Sequence, residues 1–241
     1  MATQVGLRVR NKDRVLQIDG EYQNLELVSK ADYSIPQNSN TGDMWGASVD
    51  IAVPSGRSNV TIAIKTTTST GVYVVKIGTS IFRVYRGIPS DTNVVFTAYI
   101  FATPIERPSF GLVGLVVRSR ATGLVVYNSN YKYLRILRFA PVDLYMPLDA
   151  NAPPSSASFS FPGKTVAVMQ CVRPNGRRQN PAGTPQQPIS VFGFFGGKMR
   201  TDGAGTAIIE HRVIASAIGP PGQSVASQTL GTYMIVDVTG Y

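Results

Sequence analysis

Val5-Gly6-Leu7-Arg8-Val9-Arg10 and Val113-Gly114-Leu115-Val116-Val117-Arg118 are two stretches of one chain that read alike. The likeness continues from Arg14-Val15-Leu16-Gln17-Ile18-Asp19 to Gly123-Leu124-Val125-Val126-Tyr127-Asn128. It closes with Tyr22 and Leu25 against Tyr131 and Leu134. A repeat of this kind sets how many folding units the chain holds. Within the first copy Val5, Leu7 and Val9 alternate with Gly6, Arg8 and Arg10, the period-two pattern of a strand with one buried and one wet face.

The same period runs outward from both copies. Val49-Asp50-Ile51-Ala52-Val53 alternates and stops at the turn signal Pro54-Ser55-Gly56, and Val60, Ile62 and Ile64 follow. Val72 to Ile77, Ile81 to Tyr85 and Val94 to Phe101 come next at short intervals. In the second half Ser158-Phe159-Ser160-Phe161-Pro162-Gly163 stands where Asp50 to Gly56 stood, and Val166 to Val172 replaces Val60 to Ile64. Ile189 to Phe195, Ala207 to Ile214 and Thr232 to Val238 complete the series. Short, regularly spaced strands punctuated by Gly and Pro indicate a sandwich or barrel. The expected fold is all-β: tandem antiparallel β-sandwich units from an internal duplication, spanning 1–112 and 113–241. One continuous barrel remains open. The run Arg173 to Pro188 has no apolar periodicity and reads as a long loop, while Ser34 to Asp43 reads as a long connection.

Composition narrows the partners. Charged residues make up 15% of the 241 residues, against about 25% in ordinary soluble domains. Much of the surface is therefore uncharged or covered by partners. Val94 to Phe101 and Ile189 to Phe195 are apolar on both faces, so such a strand lies between packed layers or against another subunit, and self-association is the simpler expectation. The net charge of +9 attracts polyanions or an acidic protein. The basic residues are dispersed, however, and nucleic acid is not the expected partner. No stretch has the length of a membrane span, residues 1–20 carry no apolar signal-peptide core, and folding in a cytoplasm is expected.

Catalytic chemistry is not legible. His211 is the single histidine, in Ile208-Ile209-Glu210-His211-Arg212, and reads as a paired or exposed strand residue rather than the base of a Ser-His-Asp relay. Cys171 is the single cysteine, which excludes an internal disulfide, and it reads as a small core residue. No zinc set or calcium loop can be assembled. Asp143 and Asp149 do not make a glycosidase pair, because Asp149 lies in a Pro-rich turn. Gly193-Phe194-Phe195-Gly196-Gly197-Lys198-Met199 resembles a phosphate loop only superficially: Phe192 and Met199 stand where glycine and Ser/Thr are needed, and a bulged or tightly packed strand end fits better. No enzyme, cofactor or metal is expected. The candidate partner contacts are Trp45, an aromatic at a loop edge, and Arg173, Arg177 and Arg178, three arginines with no acid nearby.

Gly6-Leu7-Arg8-Val9-Arg10-Asn11 with Leu16 and Asp19, and Gly114 to Ser119 with Gly123, Leu124, Asn128 and Ser129, resemble the opening of small tail-associated structural proteins of tailed bacteriophages. About 25 residues of each copy share the resemblance, which departs at Arg14, where the second copy has Gly123. It implies a virion structural protein with a baseplate, fibre-attachment or adaptor role, assembled in a bacterial host's cytoplasm. Its partners would be copies of itself and other virion proteins. Family members offer no catalytic residues to carry over. Two alternatives stand beside it: a β-sandwich module binding host-surface glycan through Trp45, and a capsid or decoration protein.

Overall fold

Alternating apolar residues commit the chain to antiparallel pairing. The computed structural model describes residues 8–10, 16–19, 24–37, 47–86, 93–105, 114–119, 121–143, 155–184, 187–219, 227–228 and 230–241. At 8–10, 16–19, 175–196, 212–219 and 227–228 the description is of the backbone. The first half opens with a hairpin of β1 (Arg8–Arg10) and β2 (Leu16–Asp19). It continues with β3 (Glu26–Ile35), β4 (Ser48–Ala52), β5 (Thr61–Lys65), β6 (Val72–Ile77), β7 (Ile81–Arg86) and β8 (Val94–Ala102). The second half opens likewise with β9 (Val116–Arg118) and β10 (Val125–Asn128). After them come β11 (Ile136–Asp143), β12 (Ser155–Ser160), β13 (Val166–Val172), β14 (Asn175–Thr184), β15 (Gln187–Thr201), β16 (Thr206–Gly219), β17 (Ser227–Gln228) and β18 (Leu230–Asp237).

Two large sheets run through both halves. One has the order β11-β18-β13-β5-β8-β3, the other β12-β16-β15-β6-β7-β4, with β14 added on β15 and β17 on β14. Each order reads the same from either end once β3 to β8 are matched with β11, β12, β13, β15, β16 and β18. The matched strands share irregularities too. β3 shifts register against β8 between Leu27 and Ser29, and β11 against β18 between Ile136 and Arg138. Between the halves, Ile64 faces Val168 in one sheet and Val72 faces Met199 in the other. A third antiparallel contact links the segments after the hairpins: Leu27 N–H donates to Lys132 O at 2.6 Å and Leu134 N–H to Leu25 O at 2.8 Å. All three obey one approximate twofold axis, which passes between the matched residues Ala63 and Met169, Tyr73 and Lys198, and Leu25 and Leu134.

The sheets face each other over two joined cores. In the first half Ile62, Ile64, Phe96, Ala98 and Ile100 of one sheet meet Ile51, Val72, Phe82 and Val84 of the other. In the second, Val166, Val168, Tyr233 and Ile235 meet Met199, Ala207 and Ile209. Each such side chain, fully buried, contributes about 1.5–3 kcal/mol, so the facing surfaces dominate stability. β8 is apolar on both faces because it is central and its outer side is covered as well: Tyr99 and Phe101 pack with Leu25, Leu27, Leu134 and Tyr241. That part of its second face is buried within the chain, while Val95 at the other end of the strand is exposed.

Three local readings of the sequence change. Residues 173–188 are not a long loop: β14 pairs residue by residue with β15, from Asn175 opposite Gly196 to Thr184 opposite Gln187. Backbone pairing needs no apolar alternation, and a strongly apolar partner strand overrides the weak β-propensity of an Asn-, Gly- and Pro-rich stretch. Pro181 is tolerated because, beyond Gly176, the far side of β14 meets no other strand among the described residues. Ser34 and Ile35 are the last residues of β3 rather than part of a connection. Cys171 is exposed at the register shift of β13 and does not pack in the core.

Asp237 ends β18 almost fully buried. Burial, the largest single influence on its carboxyl, would raise its pKa. The Thr239 donors, the Lys164 ammonium at 3.1 Å and the Arg135 guanidinium together outweigh burial and hold it below 3.8. A depressed carboxyl contributes stability that is present above its unfolded value and is lost as pH falls through the folded one. Urea midpoints measured from pH 5 down to pH 2 should therefore fall more steeply for the wild type than for Asp237→Asn. Parallel curves would contradict this role.

Candidate interaction surface

The repeated motif folds into the same hairpin twice. β1 and β2 pair Arg8 with Asp19, Val9 with Ile18 and, after a bulge, Arg10 with Leu16. β9 and β10 pair Val116 with Asn128, Val117 with Tyr127 and, after the same bulge, Arg118 with Val125. Among the described residues, the three rungs of each hairpin are formed by aligned residues. The second hairpin is anchored from below: Val125 and Val126 are buried, Asn128 N–H donates to the Tyr133 hydroxyl at 2.6 Å, and Asn24 Nδ2 donates to Val126 O at 3.3 Å. Burial pushes the Tyr133 hydroxyl up to about 12, so it stays neutral. Leu115, Val116 and Leu124 of this hairpin are left exposed.

The second half also carries an addition. Val72 faces Arg86 on the rung that Gly197 and His211 occupy in the second half. β6 begins and β7 ends there, whereas β15 and β16 run on as a ribbon to which β14 and β17 are added. Residues 175–196 and 212–228 contain Arg177, Arg178 and Arg212 and no acid. Arg173 is half-buried at the base of this ribbon. Arg177 and Arg178 lie on β14 opposite Phe194 and Gly193, while Arg173 precedes that strand. Trp45 lies outside the described residues, as does Asp149.

At the ribbon's root a ring crosses the sandwich. Tyr233 of β18 is fully buried, and its hydroxyl lies 3.5 Å from Nε2 of His211. Burial raises the Tyr233 pKa far above the ordinary phenol value, so its hydroxyl stays protonated in this contact. His211 is thus buried and paired, not exposed. The ring passes Gly197, where a Cβ would land on the Tyr233 hydroxyl and 3.1 Å from Pro174 Cγ, and Gly231, where a Cβ would lie 2.8 Å from the ring. The glycine-rich run Gly193 to Lys198 is therefore strand, bulged between Phe194 and Phe195, with Lys198 buried at the axis rather than poised over a phosphate.

A cavity of about 560 Å³ opens beside the junction of β5 and β13, lined by Ile62, Val74, Phe82, Met169, Gln170 and Met234. Gln170 spans it, its Oε1 accepting from Val74 N–H at 3.3 Å. Among the described residues no cluster of His, Cys, Asp or Glu could hold a metal ion. What the surface offers is contact: exposed apolar side chains and a ribbon whose sequence is basic.

One apolar group could not be found by reading segments singly. Phe139, Pro141, Val172 and Leu230 come from three strands, and only the register shows that they share a face. Extending the repeat alignment past Leu25 and Leu134 would have flagged two of them, since Phe139 and Pro141 stand where the first copy has Lys30 and Asp32. Comparison with protein families, with curated proteins and with solved structures finds no match to this chain.

Proposed function

We propose that the chain is a virion structural protein of a phage tail, at a baseplate, fibre-attachment or adaptor position, and that its halves descend from one duplicated β unit. The carrying observation is the twin hairpin. The stretches that resemble the openings of tail-associated proteins contain β1–β2 and β9–β10, whose described rungs are made by aligned residues. The shared order of the two halves in both sheets supports duplication. In this reading the work is geometric: related units joined about a twofold axis present related surfaces to neighbouring subunits, and the added ribbon makes one half different from the other.

Quantitative mass spectrometry of gradient-purified particles tests the proposal. The chain should co-purify at a constant small-integer ratio to other tail proteins. Its absence from intact particles that assemble and infect normally would overturn the reading.

A further inference from the structure

We propose that the outer face of β11, β18 and β13 is the docking surface through which this chain binds a different protein, one presenting an apolar patch rimmed by carboxylates. The inference deepens the structural-subunit reading and rests on it.

Matched rungs make the case. On the outer face of the first half, Lys30 lies beside Tyr99 and Ala63, Asp32 beside Thr97 and Lys65, and Ser34 beside Val95. On the matching face of the second half, Phe139 lies beside Met234 and Met169, Pro141 beside Thr232 and Val172, and Asp143 beside Leu230. The central threonines, Thr97 and Thr232, are the same. Around them Lys30, Asp32 and Lys65 have become Phe139, Pro141 and Val172. The first face is finished for water: the Lys30 ammonium lies over the Tyr99 ring at 5.8 Å and donates to Tyr241 O at 2.8 Å, and the Thr97 hydroxyl donates to Asp32 at 2.6 Å. The second has no such finish. Phe139 is 56% exposed and Val172 42%, where the first half has Lys30 and Lys65; Leu230, 46% exposed, matches Val95, which is 57% exposed, and is apolar in both halves.

Single exposed apolar residues are ordinary, but a contiguous group on one sheet face marks an interaction site. Here the same backbone supplies its own control, because three charged positions of one face, Lys30, Asp32 and Lys65, are the apolar Phe139, Pro141 and Val172 of the other.

Charge selects the occupant. The patch adjoins the half-buried Arg173, and β13 leads from it into the ribbon whose arginines have no acid among them; Asp143, opposite Leu230, is the one acid on this face among the described residues of β11, β18 and β13. A second copy of this chain would bring a net charge of +9 against +9, and its other matched face carries lysines. A partner with Asp and Glu around an apolar centre meets both features, and the complementary charge would steer encounter and set register.

A benzophenone-bearing amino acid at position 139, and separately at position 30, in cells producing the particle provides the test. Irradiation should link position 139 to a different polypeptide, identified by mass spectrometry at an apolar segment flanked by acids, and leave position 30 unlinked. Arg173→Glu should lower the yield several-fold at low salt. Linkage to a second copy would overturn the assigned occupant. No linkage from 139, or equal linkage from 30, would overturn the docking surface while leaving the chain a particle component. If the chain is missing from purified particles the tail reading falls, and linkage within the cell still decides the surface.

Discussion

Arg57→Ala should cost about 3–5 kcal/mol of stability, the usual penalty for stripping one partner from a buried ion pair. Arg57 Nη1 lies 2.6 Å from Glu26 Oε1, with side-chain exposures of 7% and 2%, and it also donates to Thr103 O at 3.2 Å. Removing the guanidinium takes this close cation away from a carboxylate that stays inside the protein. Replacing both members, as in Arg57→Met with Glu26→Leu, should be much milder, because no charge then stays buried. The second half supplies a contrast. Lys164, like Arg57, follows a left-handed glycine (Gly163, as Gly56), and it pairs with Asp237 at 3.1 Å while 47% exposed. Lys164→Ala should cost under about 1 kcal/mol. Urea midpoints at neutral pH measure all four proteins. Equal losses for the Arg57 and Lys164 variants would refute burial as the cause.

The second large effect is a swap between halves. The first half fills its interior with Val72, Ala98 and Phe96, and the second fills the matched positions with Gly197, Tyr233 and Gly231. Large and small have changed places so that one ring can cross the sandwich. Gly197→Val alone drives a side chain into the Tyr233 hydroxyl and should cost about 3 kcal/mol or more. Tyr233→Ala alone leaves a ring-sized void and should cost about 3–5 kcal/mol. Together the substitutions restore two of the first half's three residues, with Gly231 still standing for Phe96, and remove the clash between the new valine and the ring, so the double variant should be more stable than additivity allows, by about 2 kcal/mol. Thermal unfolding of the four proteins closes the cycle. Strict additivity would mean that the ring and the glycine are not packed as described.

Legibility in the sequence followed the physics of each element. The hairpins were visible because alternation and repetition coincide at residues 5–10 and 113–118. The all-β class was visible because β4 and β5 alternate and β6, β7 and β8 follow at short intervals as β-branched and aromatic runs. β14 was invisible because what holds it is backbone pairing to β15, and side-chain patterns do not report that. β3 and β11 were also missed. Both are outer strands, and their polar or Pro-containing faces, with Lys30 and Asp32 in one and Pro141 in the other, mask the alternation. The three arginines were legible as a group, yet their scaffold was misread as a loop. The apolar face was not legible because Phe139, Val172 and Leu230 become neighbours only through strand register.

The sharing of both sheets between halves has a consequence during synthesis. β5 and β6 find their outer neighbours only in β13 and β15, about a hundred residues further along the chain. At roughly 5–20 residues per second, the ribosome needs on the order of ten seconds to make the second half. For that interval a folded first half would present two open strand edges, the kind of template on which nascent chains aggregate. A cell making this protein needs slow initiation, a holding chaperone or early capture by a neighbour to carry the first half through to its completion.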